Sequence, residues 1–163
     1  MKYLSIILIT VLFSCKPAEK TSKTNNVQSV SNKIEFTLIK EGTNSGFITK
    51  KEQVITNPTD FENEWNIALA NYLERNPVPN FDFNNNQIIL ITMGEQTSGG
   101  HTIRTDSVTF TESTITLNAT ASKPGNDCMT TSVMTQPFQI INIPKSNKKI
   151  EFNITEHTYN CGK

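Results

Sequence analysis

Residues Gly94 to Ile103 read GEQTSGGHTI. Glycines spaced closely ahead of a histidine are residue types for two chemistries. One is a loop whose backbone amides grip a phosphate; the other is a corner that presents a nucleophile to a base. A P-loop requires GK[ST], so that a lysine and a hydroxyl reach phosphate and magnesium. Here the loop ends Gly100-His101-Thr102. A dinucleotide loop must open a helix, whereas the residues after His101 are β-branched and strand-like. No GxSxG elbow occurs, and no carboxylate stands in a context that would complete a triad with His101. The glycines Gly94, Gly99 and Gly100 therefore read as backbone devices, for positive φ or close approach. No catalytic residue is assigned, and the chain reads as a non-enzyme.

The remaining reactive types are few. His101 and His157 are the two histidines, and Cys15, Cys128 and Cys161 the three cysteines. CxxC and HExxH spacings are missing, so a metal site would lack ligands; no metal or cofactor is assigned. Fifteen basic and fifteen acidic residues balance, and no basic stripe offers a nucleic-acid footprint.

Where these residues reside is set by the N-terminus. Lys2 precedes an apolar run from Leu4 to Phe13, too short to span a bilayer. Leu12-Phe13-Ser14-Cys15 then resembles a lipobox, in which Cys15 is lipidated and becomes the first mature residue. Residues 1–14 are expected to be a signal peptide. Residues 15–32 form the lipidated cysteine and a polar tether, and 33–163 a single domain. The expected location is the cell envelope, lipid-anchored at the outer membrane, with periplasmic and surface orientations both open. In an exported chain Cys128 and Cys161 are expected to form a disulfide.

The elements that must position the loop are mostly strands. Lys33 to Lys40 alternate, with Ile34, Phe36 and Leu38 on one face. A second strand is expected over Phe47 to Thr56. A helix is expected over about 60–74, capped by Thr59 with Glu62 completing a capping box, and carrying a stripe of Phe61, Trp65, Leu69 and Tyr72. Gln87 to Met93, QIILITM, predicts a buried central strand. Thr102 to Phe110 predicts a strand with a bulge, because Ile103 and Val108 differ in parity. Further strands are expected over 114–121, 136–143 and 149–155. Short turns between them predict antiparallel pairing. The fold class is α+β and mainly β: an antiparallel sheet or sandwich of about six to seven strands with one packed helix.

The order GTNSGF (42–47), DFENEW (60–65), FDFNNNQIILITMGEQTSGGHTIRTDSV (81–108), KPGNDC (123–128) and TQPFQIINIPKS (135–146) resembles the protease complex subunit PrcB family, including its C-terminal domain. The resemblance covers about residues 36–155, with His101 at a position where that family usually has tyrosine. It implies an envelope lipoprotein associated with a surface protease, acting without catalysis as a protein-interaction or stabilising module. Gly94, Glu95, Gln96, Thr97, Ser98, Gly99, Gly100 and His101 then form a partner-binding corner. The other open reading is an inhibitor-like or small-ligand-binding β domain that uses this loop and the 123–135 loop as fingers.

Overall fold

The computed structural model describes residues 32–162. The signal peptide, Cys15 and the tether through residue 31 lie outside the described residues. Eight strands and one helix follow in the order β1 (Lys33–Ile34), β2 (Thr37–Gly42), β3 (Lys51–Ile55), α1 (Pro58–Ala68), β4 (Asn86–Thr92), β5 (Thr102–Phe110), β6 (Thr114–Pro124), β7 (Phe138–Pro144) and β8 (Lys149–Tyr159). They build two four-stranded sheets, ordered β1-β5-β6-β8 and β2-β7-β4-β3. No helix among the described residues is long and apolar enough to cross a membrane.

The apolar run of β4 has a direct structural cause. The sheet containing β4 is the middle of three layers, so both of its faces are buried. Ile88 and Leu90 face the helix, in a core with Phe61, Trp65, Ala68 and Leu69. Ile89 and Ile91 face the other sheet, in a core with Ile103, Val108, Ile115 and Leu117. β7 does the same, sending Phe138 and Ile140 to the helix and Ile141 and Ile143 to the opposite sheet. These strands pair in register from Asn86↔Pro144 to Thr92↔Phe138.

Several expectations need correction. The first predicted strand is two: β1 belongs to one sheet and β2 to the other, and the break at Glu35–Phe36 carries the chain between them. Leu38 consequently lies outside, 47 % exposed, at a bulge between Leu38 and Lys40, and Ile39 packs inward instead. The second strand is confined to Lys51–Ile55, because 47–50 wraps across the Gly94 loop, where the Ile48 carbonyl accepts the Glu95 N–H.

The helix starts earlier than predicted and stops earlier. Asn57 is its N-cap, accepting the Asp60 N–H at 2.9 Å, with Pro58 in the first turn. Thr59 is already inside the helix. At the other end the GTNSGF turn closes the helix: the Gly46 N–H donates to the Ile67 carbonyl at 2.8 Å and Asn71 donates to the Ser45 carbonyl at 2.6 Å. This pulls the chain off the helical path after Ala68. Tyr72 still packs on the core.

The predicted β5 bulge is present, between Thr105 and Ser107 in the register with β6. Pairing is not antiparallel throughout: β8 runs parallel to β6 from Thr114↔Lys149 to Pro124↔Tyr159. The short turn before β8 joins strands of different sheets, so it does not dictate an antiparallel neighbour.

Candidate functional site

The Gly94–His101 loop leaves the end of β4 and is bound on three sides. Gly94 takes φ 69°, and its N–H donates to Thr92 Oγ1 at 3.1 Å. Glu95 N–H donates to Ile48, and Gln96 exchanges two backbone bonds with Thr135, at 2.7 and 2.9 Å. Gly99 N–H donates to the Thr131 carbonyl, and Thr135 Oγ1 donates to the Ser98 carbonyl. Gly100 takes φ 88°, and its carbonyl accepts the Tyr159 hydroxyl at 2.9 Å. Gly99 has no positive φ; it is the point of close approach to Thr131.

These bonds answer the phosphate question physically. A cradle needs several free N–H groups aimed at one point. Here those of Gly94, Glu95, Gln96 and Gly99 are spent inside the protein. The loop is a rigid corner, with Glu95, Thr97 and Gly100 exposed and Gln96, Ser98 and His101 half-buried. Gln96 turns its amide back to the Met93 carbonyl at 3.1 Å, which leaves Thr97 as the outermost uncharged side chain.

His101 lies beside a cavity of about 220 Å³. Met93, Ile103, Ala121 and Ile154 supply its apolar walls, and Lys50, Gln96, His101, Lys123 and Glu156 its polar ones. Lys123 and Glu156 pair at 3.2 Å. His101 Nε2 stands 3.4 Å from Ser98 Oγ, while its Nδ1 is buried without a hydrogen-bond partner. Burial first, and then the Lys123 charge, hold the imidazole below its ordinary pKa and favour the neutral ring. A serine–histidine pair gains nucleophilicity when a third group orients the base. Glu156 lines the same cavity but is engaged by Lys123. Among the described residues no three of His, Cys, Asp and Glu gather to hold a metal ion.

Behind the loop, Cys128 and Cys161 form a disulfide with Cα atoms 4.9 Å apart. Asp127 reinforces it by accepting the N–H groups of Cys161 and Gly162, chiefly the latter, which holds its carboxyl below the usual range. Gly125 N–H also binds the Tyr159 carbonyl at 2.8 Å. The tail thus delivers Tyr159 to Gly100. Sequence reasoning did not single out Tyr159; the Thr155–Tyr159 half of β8 has no apolar alternation to extend the predicted strand. Nor did it single out Met129, Val133 and Met134, which lie exposed in the segment bonded to the loop. Their signal was available as apolar residues inside a segment otherwise read as a polar loop.

The family model described as PrcB C-terminal matches residues 87–144, from β4 through β7. It contains the whole loop and the segment that pins it. No curated protein matches the chain, and no solved structure does. The resemblance to the PrcB family is thus shown, on the segment 87–144 where the family model matches.

Proposed function

We propose that this chain is a non-enzymatic envelope lipoprotein whose sandwich is a protein-interaction module of a protease complex. The observation that carries the reading is the PrcB C-terminal match over 87–144, which spans the corner loop. Two further features support it. The loop is held by its own backbone bonds, so it needs little ordering on contact. Beside it stand Met129, Val133 and Met134, exposed and apolar, and methionine-rich surfaces suit protein contacts. The contact surface is therefore Thr97 and His101 with the 129–134 segment. Lipidation at Cys15 would hold this surface at the membrane.

The test is membrane pull-down with the mature protein, followed by a proteolysis assay with and without it. Co-purification of a protease that stays active supports the reading. Dose-dependent loss of activity favours the inhibitor-like alternative. A second observation keeps small-ligand binding in view: the cavity beside His101 has apolar walls and a polar mouth.

A further inference from the structure

The two sheets end in four edge strands, β1 and β8 in one and β2 and β3 in the other. Three are blunted in ways that keep sheet edges from pairing with other chains. β1 has only two residues. β2 is broken by its bulge. β3 has five residues and opens on the charged pair Lys51-Glu52. β8 also opens on a charged residue, Lys149, which pairs with Glu151 at 2.8 Å, but it is neither short nor broken. It runs eleven residues without proline, its register with β6 has no shift, and β6 is its one strand neighbour among the described residues. Its inward residues Ile150, Phe152 and Ile154 pack on the inter-sheet core yet stay only half-buried. The edge is thus unfinished twice over, in backbone pairing and in apolar cover.

We infer that a second copy of this chain pairs antiparallel with β8 across a two-fold axis at Phe152, joining two sheets into one of eight strands. The sequence of β8 selects this occupant. With the axis at Phe152, Ile150 stands opposite Ile154 and Phe152 opposite itself. On the outer face Lys149 stands opposite Thr155 and Glu151 opposite Asn153. One step beyond the strand, Lys148 stands opposite Glu156, and symmetry repeats it; each already has a partner in its own chain, Lys148 on the Thr111 carbonyl and Glu156 on Lys123, so this register sets no like charges opposite one another without requiring a new ion pair. Neighbouring registers are worse. An axis at Asn153 sets Ile150 against Glu156, one at Ile154 sets Phe152 against Glu156, and one at Glu151 sets that carboxylate against its own copy. The chain carries zero formal net charge, so no overall repulsion opposes association.

Sedimentation velocity of the full chain in detergent, across a concentration series, should show a reversible monomer–dimer equilibrium. Asn153 is exposed on the outer face, so its variants leave both cores intact. Asn153→Glu places a second carboxylate opposite Glu151 in both symmetric pairs and should raise the dimer Kd by roughly two- to thirtyfold. Asn153→Lys should lower it by a similar factor. In a Cys15→Ser background, a mixture of Glu151→Cys and Asn153→Cys chains should be joined by a short thiol crosslinker faster than either chain alone. A chain that stays monomeric at every concentration leaves the edge to a different protein and overturns the inference. So does a same-sign effect of the two Asn153 charges, or crosslinking without preference for the mixture.

Discussion

Gly94, Gly99 and Gly100 look equivalent in sequence, and the structure gives each a different constraint. At Gly94 the backbone lies at φ 69°, and a Cβ would sit 2.7 Å from the Lys50 nitrogen and the Thr49 carbonyl carbon. Neither backbone atom can move aside. Gly94→Ala should therefore cost at least about 2 kcal/mol. Gly100→Ala combines φ 88° with a Cβ 2.7 Å from the Tyr159 hydroxyl, which can swing away, so about 1–2 kcal/mol is expected. Gly99→Ala meets only the Thr131 side chain and should cost under about 1 kcal/mol. Denaturant midpoints test the ranking, and a Gly99 effect larger than that of Gly94 would refute it. His101 provides a pH test. Its folded-state pKa lies below the ordinary value near 6.5. The unfolded chain then binds the proton first, so the His101 contribution to stability should be lost as pH falls from about 7 through 6.5 to the depressed folded value, and change no further below it. His101→Tyr should remove this slope from the wild-type-minus-variant melting difference, in which the other titrating groups cancel.

Between elements, two links dominate. Lys51 of β3 donates to both carboxylate oxygens of Glu64 on α1, at 2.8 and 2.9 Å, and Glu64 is only 8 % exposed. Lys51→Met should cost about 2 kcal/mol or more by stranding that carboxylate, while Lys51→Met with Glu64→Leu should recover much of the loss. Urea denaturation of the three variants decides it; a double variant no better than the single one contradicts the reading. The Cys128–Cys161 bond closes a separation of 33 residues. Cys128→Ser with Cys161→Ser should cost about 3–4 kcal/mol on the chain-entropy model, with amide exchange at Gly125 and Gly162 quickening before the rest of the domain. At this scale the sequence was legible where a two-residue period survived, as in β6, where a break in that period marked a bulge, as in β5, and where apolar character filled a whole strand, as in β4. It was misleading where a tertiary bond ended an element. Asn57-Pro58 and Thr59 all carry helix-start signals, and only the observed Asn57–Asp60 bond selects among them. The helix end is imposed by Gly46, far away in sequence. The loop was legible as a glycine corner, but its conformation was not, because the partners that fix Glu95, Gly99 and Gly100 come from residues 48, 131 and 159.

Across the whole molecule, the lipid reading predicts that Cys15→Ala releases the protein from membranes or leaves an unprocessed precursor; unchanged processing and detergent partition would rule out the lipid anchor. Thr97→Ala, His101→Ala and Met134→Ala should weaken partner capture while shifting stability by under about 0.5 kcal/mol for exposed Thr97. If all three capture a partner as well as wild type, the loop is architecture and the contact lies elsewhere. The parallel pairing of β6 with β8 has a further consequence, in time. A chain delivered N-terminus first has no partner for β2 until β7 arrives, since Thr37 meets Asn142. It cannot cover the far edge of β6 until β8, the last strand, is present. Nearly every pairing is non-local, so refolding should fall in the millisecond-to-second range typical of β-sandwiches. Until Ile150, Phe152 and Ile154 are available, the row Ile115, Leu117 and Ala119 lies on a strand with one side unmatched. A nascent copy in that state exposes the surface that aggregates, so the interval before the last strand is delivered is when the chain is most vulnerable to self-association.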